Sequence, residues 1–294
     1  MPAVERLSPN ALGSLYMAVG SLGYVVNDAA IRRMTDEGPG VYQALCMRSI
    51  VLVFVLAALG RLRGEPTQRF HFGRPMVVRV GAEVAASALF FAAIVRLEFA
   101  NAQAILQVSP VAVTLAAALI LGERVTRLQY VAILAGFAGV MIVVRPATDG
   151  FSGWSLLVLG AAALLVVREF ATRSLDEAVP AVSVALVTAG GLAVLTAVLS
   201  LPGGWHGLNA TAVASLALSV GSLVVGYIFT IQTVRVGDLS VTSPFRYTVI
   251  VGAVVAGYLM FDEVPDRFTV IGSLVIIVSG LWSIRLDRSA PQPR

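Results

Sequence analysis

The sequence predicts an all-α polytopic membrane protein, with ten transmembrane helices in two inverted five-helix repeats. Three observations lead there. Ten apolar stretches, each near the roughly 20 residues that a spanning helix needs, fill most of the 294 residues. Only four arginines, Arg48, Arg79, Arg168 and Arg246, lie inside them away from the ends and breaks. Short segments also recur between the two halves at a nearly constant offset. A hydrophobic fraction of 57%, a mean hydropathy of +0.86 and only 13% charged residues fit a chain whose solvent is lipid.

The helices are expected at 11–34, 41–60, 75–96, 102–121, 128–145, 154–173, 180–201, 211–233, 240–260 and 267–284. The first follows MPAVERLSPN, where Glu5 offsets Arg6 and no small-x-small cleavage site comes after, so it is expected to be retained as a helix. Gly38-Pro39-Gly40 separates helices one and two. The longest break, from Arg61 to Arg74, contains Gly64-Glu65-Pro66. Asp149-Gly150 parts helices five and six, and Pro202-Gly203-Gly204 parts seven and eight. Connections this short make neighbouring helices antiparallel and leave little chain for a soluble catalytic domain.

Arginine placement sets the orientation. With the N-terminus in the cytoplasm, twelve arginines fall on the cytoplasmic side and five (Arg32, Arg33, Arg96, Arg145 and Arg267) on the other. The positive-inside rule therefore selects cytoplasmic N- and C-termini in a multi-pass protein. Trp154, Trp205 and Trp282 fall near predicted helix ends, where aromatic belts form.

Composition removes several classes. The net charge of +4 belongs to loop arginines and is not read as a nucleic-acid surface. Cys46 is the only cysteine, which excludes an intrachain disulfide and a cysteine metal cluster. His71 and His206 fall in loops, so no HExxH zinc site exists and neither metal nor cofactor is expected. The triplet Asn209-Ala210-Thr211 is a formal glycosylation sequon and is read as chance.

The repeat is visible in the residues themselves. Helices four and five read SPVAVTLAAALILGERVTRLQYVAILAGFAGVMIV around Glu123. Helices nine and ten read TVIVGAVVAGYLMFDEVPDRFTVIGSLVIIVSGLW around Glu263. Each has an apolar run, an acidic break and a glycine-bearing apolar run. Glu123 and Glu263 lie 140 positions apart, while Gly139 and Gly280, like Asp28 and Glu169, lie 141 apart. The two repeats are therefore 11–145 and 154–284. Duplicating an odd number of helices inserts the second copy upside down, a recurrent transporter design.

The arginine of helix two (ALCMRSI, Arg48), the Leu-Gly-Glu break after helix four, and the segment from Ser243 to Trp282 carry a resemblance. With them the chain is similar to the drug/metabolite transporter superfamily, EamA-like family. The likeness covers nearly the whole chain, and the helix-nine to helix-ten segment is its most specific part. It implies a ten-helix inner-membrane carrier with a central cavity between the halves. The cargo implied is a small organic metabolite, amino-acid-, nucleotide- or vitamin-like. FDE (Phe261 to Glu263) stands where the first half has LGE, so the two breaks are not identical.

Ionisable groups inside spans are costly and are functional candidates by default. Asp28 and Arg48 sit at similar depth, roughly 9–10 Å from the outer face at the helical rise. Asp28 is read either as a ligand for a substrate cation or proton, or as a structural partner of Arg48. Arg48 is read either as a bidentate ligand for carboxylate or phosphate, or as the other half of that pair. Arg79 and Glu83 are spaced i, i+4 and form an inner layer, with Glu83 a candidate for proton coupling. Arg246 and Tyr247 are expected to line the cavity or, for Tyr247, to pack. Arg168 and Glu169 are assigned to the interface by snorkelling.

Asn27, Gln107 and Gln232 are amides in apolar helices. Asn27 and Gln107 join the substrate set, while Gln232 is read as a helix-to-helix bond. Pro110 and Pro244 either free backbone carbonyls or kink their helices. Ala135/Gly139, Ser222/Gly226 and Ala253/Gly257 are close-packing pairs. Glu123 and Glu263 are expected to pin the helix hairpins.

These residues fit a secondary transporter with a small-molecule substrate in the lipid bilayer, with coupled protons and a homodimer compatible with it. No nucleotide-binding motif supplies energy, so a gradient or exchange would. A membrane-embedded lipid-modifying enzyme lacks a serine–histidine or paired-aspartate set within the spans. A sensor lacks an output domain. The chain is expected to be no enzyme.

Overall fold

The computed structural model describes residues 8–62, 73–120, 122, 127–145, 152–176, 179–237 and 242–289, and no strand occurs among them. The α-helices are α1 (Pro9–Asp36), α2 (Val41–Leu62), α3 (Arg74–Ile94), α4 (Phe99–Leu106), α5 (Ser109–Ile120) and α6 (Arg127–Val144). There follow α7 (Trp154–Arg173), α8 (Ala181–Ser200), α9 (Ala210–Val236), α10 (Thr248–Phe261) and α11 (Arg267–Ser289). Single 3-10 turns occur at Leu201–Gly203 and Ser243–Tyr247. Eight of the expected stretches are helical within a few residues of their expected ends; the expected 102–121 is split into α4 and α5, and in 240–260 the α-helix starts only at Thr248, after a 3-10 turn.

Among the described residues, six helical stretches are long and apolar enough to cross a membrane: Val41–Arg61, Arg74–Ile94, Phe99–Ile120, Trp154–Arg173, Val182–Gly203 and Ala210–Thr233. Tyr130–Val144, Phe245–Phe261 and Arg267–Trp282 are shorter apolar helices. Large apolar side chains such as Phe54, Leu119, Leu134, Val194 and Leu259 are exposed, as they are where the outer solvent is hydrocarbon. The chain is a multi-pass membrane protein.

α1 departs from the expectation of ten comparable spans. Its 28 residues suffice in length, but Gly13, Ser14, Gly20, Ser21 and Gly23 dilute its apolar character. Asp28, Arg32, Arg33 and Asp36 then crowd its last third. The small residues serve packing instead. A Cβ on Gly20 would lie 2.8 Å from the Thr230 hydroxyl, and one on Gly23 would lie 2.8 Å from the Ser222 carbonyl, so α1 and α9 touch backbone to backbone.

The chain divides into two compact units: 1–29 with 97–155 and 221–294, and 30–96 with 156–220. Each draws helices from both predicted repeats. In the first unit α6 lies along α11 and α4 packs on α10. Tyr16 meets Phe229 edge-on at 5.3 Å, and Tyr24 meets Tyr227 at 6.1 Å. In the second unit α8 packs on both α2 and α3. There the Gln43 amide donates to the His206 carbonyl at 2.7 Å and accepts the His206 N–H at 3.0 Å, tying the start of α2 to the loop before α9. The sequon's Asn209 is used structurally, as its carbonyl caps the Ala212 N–H at 2.7 Å.

Candidate functional site

In the first unit the polar centre is a carboxylate held by two amides. Asn27 donates to Asp28 Oδ1 and Gln103 donates to Asp28 Oδ2, both at 2.8 Å. Asn27 and Gln103 are 3% and 2% exposed, so these bonds are made away from bulk solvent. Gln103 brings α4 to α1 across 75 residues of sequence. It was not among the expected contacts. Its signal was present: it lies one turn before Gln107 in an otherwise apolar run.

α4 stops at Leu106 because Pro110, lacking an N–H, blocks a continuous ladder. The carbonyls at the break are taken up locally. Gln107 N–H bonds to the Gln103 and Ala104 carbonyls, and Val108 N–H to that of Ile105, all at 3.2 Å. The Ser109 hydroxyl donates to the Leu106 carbonyl at 2.8 Å. The Gln107 side chain is buried, and its Nε2 finds no partner among the described residues.

Pro244 has the matching effect at the other end of the chain, where the 3-10 turn Ser243–Tyr247 precedes α10. The adjacent side chains of Arg246 and Tyr247 diverge. Arg246 is exposed, and no carboxylate among the described residues pairs with it. Tyr247 is buried with its ring pressed on Gly280, and its hydroxyl has no hydrogen-bond partner among the described residues.

Glu263 does pin a hairpin, and the partner is a helix start 164 positions away. Its Oε2 accepts the Phe99 N–H at 2.6 Å, placing a carboxylate at the positive end of α4. Beside it Asp266 caps Thr269, the Thr269 hydroxyl bonds to Asn101, and Arg145 pairs with Asp266 at 2.7 Å. Glu123 lies outside the described residues.

Burial pushes the Asp266 carboxyl up, but the Thr269 N–H and hydroxyl and the Arg145 guanidinium together hold it below the usual carboxylate range. A folded pKa below the unfolded one adds stability above the unfolded value and loses it as pH falls through the folded value. Asp266→Asn is therefore expected to lower the melting temperature by a few degrees near neutral pH. In acid the variant and parent should converge, and tryptophan-fluorescence melts over a pH series would show it.

In the second unit Arg48 is 6% exposed and lies over the Phe91 ring at 5.3 Å. A guanidinium over a ring at this distance is within cation–π range. Glu83 is doubly paired and not an isolated buried acid: Arg79 Nη1 lies 3.0 Å from Oε2 and Arg168 Nη1 3.4 Å from Oε1. Arg79 also donates to the Thr188 hydroxyl at 3.1 Å. Arg168, expected to snorkel, turns to this group instead, with Glu169 at 3.6 Å. Among the described residues no group of three or more His, Cys, Asp or Glu could hold a metal ion.

Residues 11–145 match the model of the EamA-like transporter family. Over that stretch the chain is similar to EamA-like transporters, and relatives named as transporters align with most of its length. Among its relatives the riboflavin transporter of Vibrio cholerae serotype O1 is 28% identical over 91% of both chains. That of Rhizobium johnstonii is 27% identical over 96% of this chain and 94% of its own. The S-adenosylmethionine uptake transporter of Rickettsia prowazekii is 26% identical over 62% of this chain and 61% of its own. A solved protein structure shares the fold with a TM-score of 0.67, at 19% identity over 94% of this chain and 98% of that one. The family match and the transporter names of these relatives point to a transporter and not to a membrane enzyme.

Proposed function

We propose that this chain is a secondary transporter that carries a small organic metabolite across the inner membrane by alternating access, with riboflavin the first cargo to test. The observation that carries the cargo is the pair of riboflavin transporters that align with more than nine-tenths of the chain. Riboflavin has a planar ring system with an imide N–H, carbonyl acceptors and a hydroxylated tail. Asp28, oriented by Asn27 and Gln103, is assigned to accept from such donors, and Gln107 to donate. The guanidinium of Arg48, over the Phe91 ring, is assigned to the carbonyls or to stacking.

Support for inverted repeats comes from helix pairing. α2 with α8, α6 with α11, and α4 with α10 each join a helix of 11–145 to its counterpart in 154–284. Both halves also contain a proline-interrupted helix, the best sequence pointer to a transporter site. The interruptions are not equivalent in position: Pro110 and Pro244 are 134 positions apart, six short of the offset between Glu123 and Glu263.

Cells producing the protein are expected to take up radiolabelled riboflavin saturably, with unlabelled riboflavin competing. Uptake no faster than in cells with empty vector, across riboflavin and a panel of other vitamins, nucleosides and amino acids, would refute the transport reading. For orientation, Ser289→Cys in a Cys46→Ser background is expected to react with a membrane-impermeant maleimide only after permeabilisation. Labelling in intact cells would reverse the assigned topology.

A further inference from the structure

Four charged side chains of the second unit, Arg79, Glu83, Arg168 and Glu169, are short of acceptors. Arg79 uses Nη1 for both Glu83 and Thr188, while its Nε is buried with no hydrogen-bond partner among the described residues. Glu83 Oε2 sits 3.0 Å from Arg79 yet makes no hydrogen bond in that geometry. Arg168 touches Glu83 at 3.4 Å and Glu169 at 3.6 Å, both beyond the 2.7–2.9 Å usual for a charge-assisted bond. Glu169 is also 42% exposed and so already solvated. Two guanidinium groups therefore share one half-buried carboxylate, and neither is fully used.

From this geometry we infer that Arg79 and Arg168 form an oxyanion site in which Glu83 is an internal counter-ion, displaced when a carboxylate or phosphate group binds. Thr188 remains as a fixed hydroxyl beside Arg79. Two planar forks on separate helices, α3 and α7, suit the tetrahedral or planar oxygens of such a group. Glu83 can leave because it is a side chain one turn from Arg79 on the same helix. Its departure frees donor edges of both arginines at once. The competitor lowers apparent affinity by keeping the binding-competent state a minority.

The site is a binding claim about the second unit and does not require riboflavin to be the cargo. Its oxyanion could belong to a soluble metabolite or to an anionic lipid headgroup. The test is a thermal-shift titration of the full chain in phosphatidylcholine nanodiscs with sodium phosphate, against sodium chloride at equal ionic strength. A second set of discs contains phosphatidylglycerol.

The parent protein is expected to be stabilised saturably by phosphate. Glu83→Gln should bind it about tenfold more tightly because the competitor has lost its charge. Arg168→Gln, which leaves the Arg79–Glu83 pair in place, should lose most of the response. If phosphatidylglycerol alone stabilises the parent and abolishes the phosphate effect, while Arg168→Gln ignores the lipid, the headgroup is the natural oxyanion and the site stands. A phosphate response of parental size in Arg168→Gln, or one in Glu83→Gln no tighter than the parent's, overturns it. Should Glu83→Gln not fold, Arg168→Gln alone decides. Transport measurements enter none of these outcomes, so a failed riboflavin assay leaves the result readable.

Discussion

Arg48→Ala is expected to abolish riboflavin counterflow in proteoliposomes while the protein still purifies as a single folded species. Arg48 is buried in α2 with its guanidinium over Phe91, so alanine removes a buried cation and its donors. Hydrogen bonds to a charged group are worth ~1.5–3 kcal/mol, or about ten- to a hundredfold in affinity. Arg48→Lys separates the two readings of this residue. Lysine keeps the charge but loses the planar fork and its stacking, so a ligand role predicts that counterflow stays low with normal thermal stability. A purely structural role predicts that both variants melt early and that lysine restores transport. Melting midpoints and counterflow rates on the same preparations distinguish these outcomes.

Gly272→Val is expected to give the largest loss of stability. A Cβ at Gly272 would lie 2.5 Å from Val143 Cγ2 and 2.7 Å from the Gly139 carbonyl oxygen, and one at Gly139 would meet the Gly272 carbonyl at 2.9 Å. α6 and α11 thus touch through two glycines and two backbone oxygens. Backbone cannot rotate aside, so the helices must separate. Overpacking of this kind typically costs ~1–3 kcal/mol, and here it falls on the main helix contact of the first unit. Gly221→Ala in α9 is the control, since nothing lies within 4 Å of its Cβ position. It should be neutral or slightly stabilising. Size-exclusion profiles and melting midpoints after purification would check both.

The helices were legible because a lipid solvent imposes long apolar runs, and Gly-Pro and Gly-Gly breaks mark their ends. α1 was legible as a helix but not as an ordinary span, because the glycines that lower its hydropathy are the surface that meets α9. The interior charges were legible as a set, since each is expensive in a bilayer. Their partners were not. Gln103 reaches Asp28 across 75 positions, and Glu263 caps Phe99 across 164; no local pattern encodes such distances. Gln103 was within reach of its spacing from Gln107. Arg168 was misassigned because nearness to a helix end was taken as nearness to water, whereas Glu83 on α3 supplies a closer carboxylate. The pairing of Arg79 with Glu83 was legible because i, i+4 spacing is local.

Counterflow in proteoliposomes is the most direct measurement of the proposed transport. Vesicles preloaded with unlabelled riboflavin should accumulate labelled riboflavin transiently above equilibrium, with saturation, and with loss of the overshoot in Arg48→Ala and Asp28→Asn. The absence of any overshoot with riboflavin, in vesicles whose protein is folded and correctly inserted, would contradict riboflavin as the cargo. Absence of counterflow across a full panel of vitamins, nucleosides and amino acids would contradict the carrier mechanism itself.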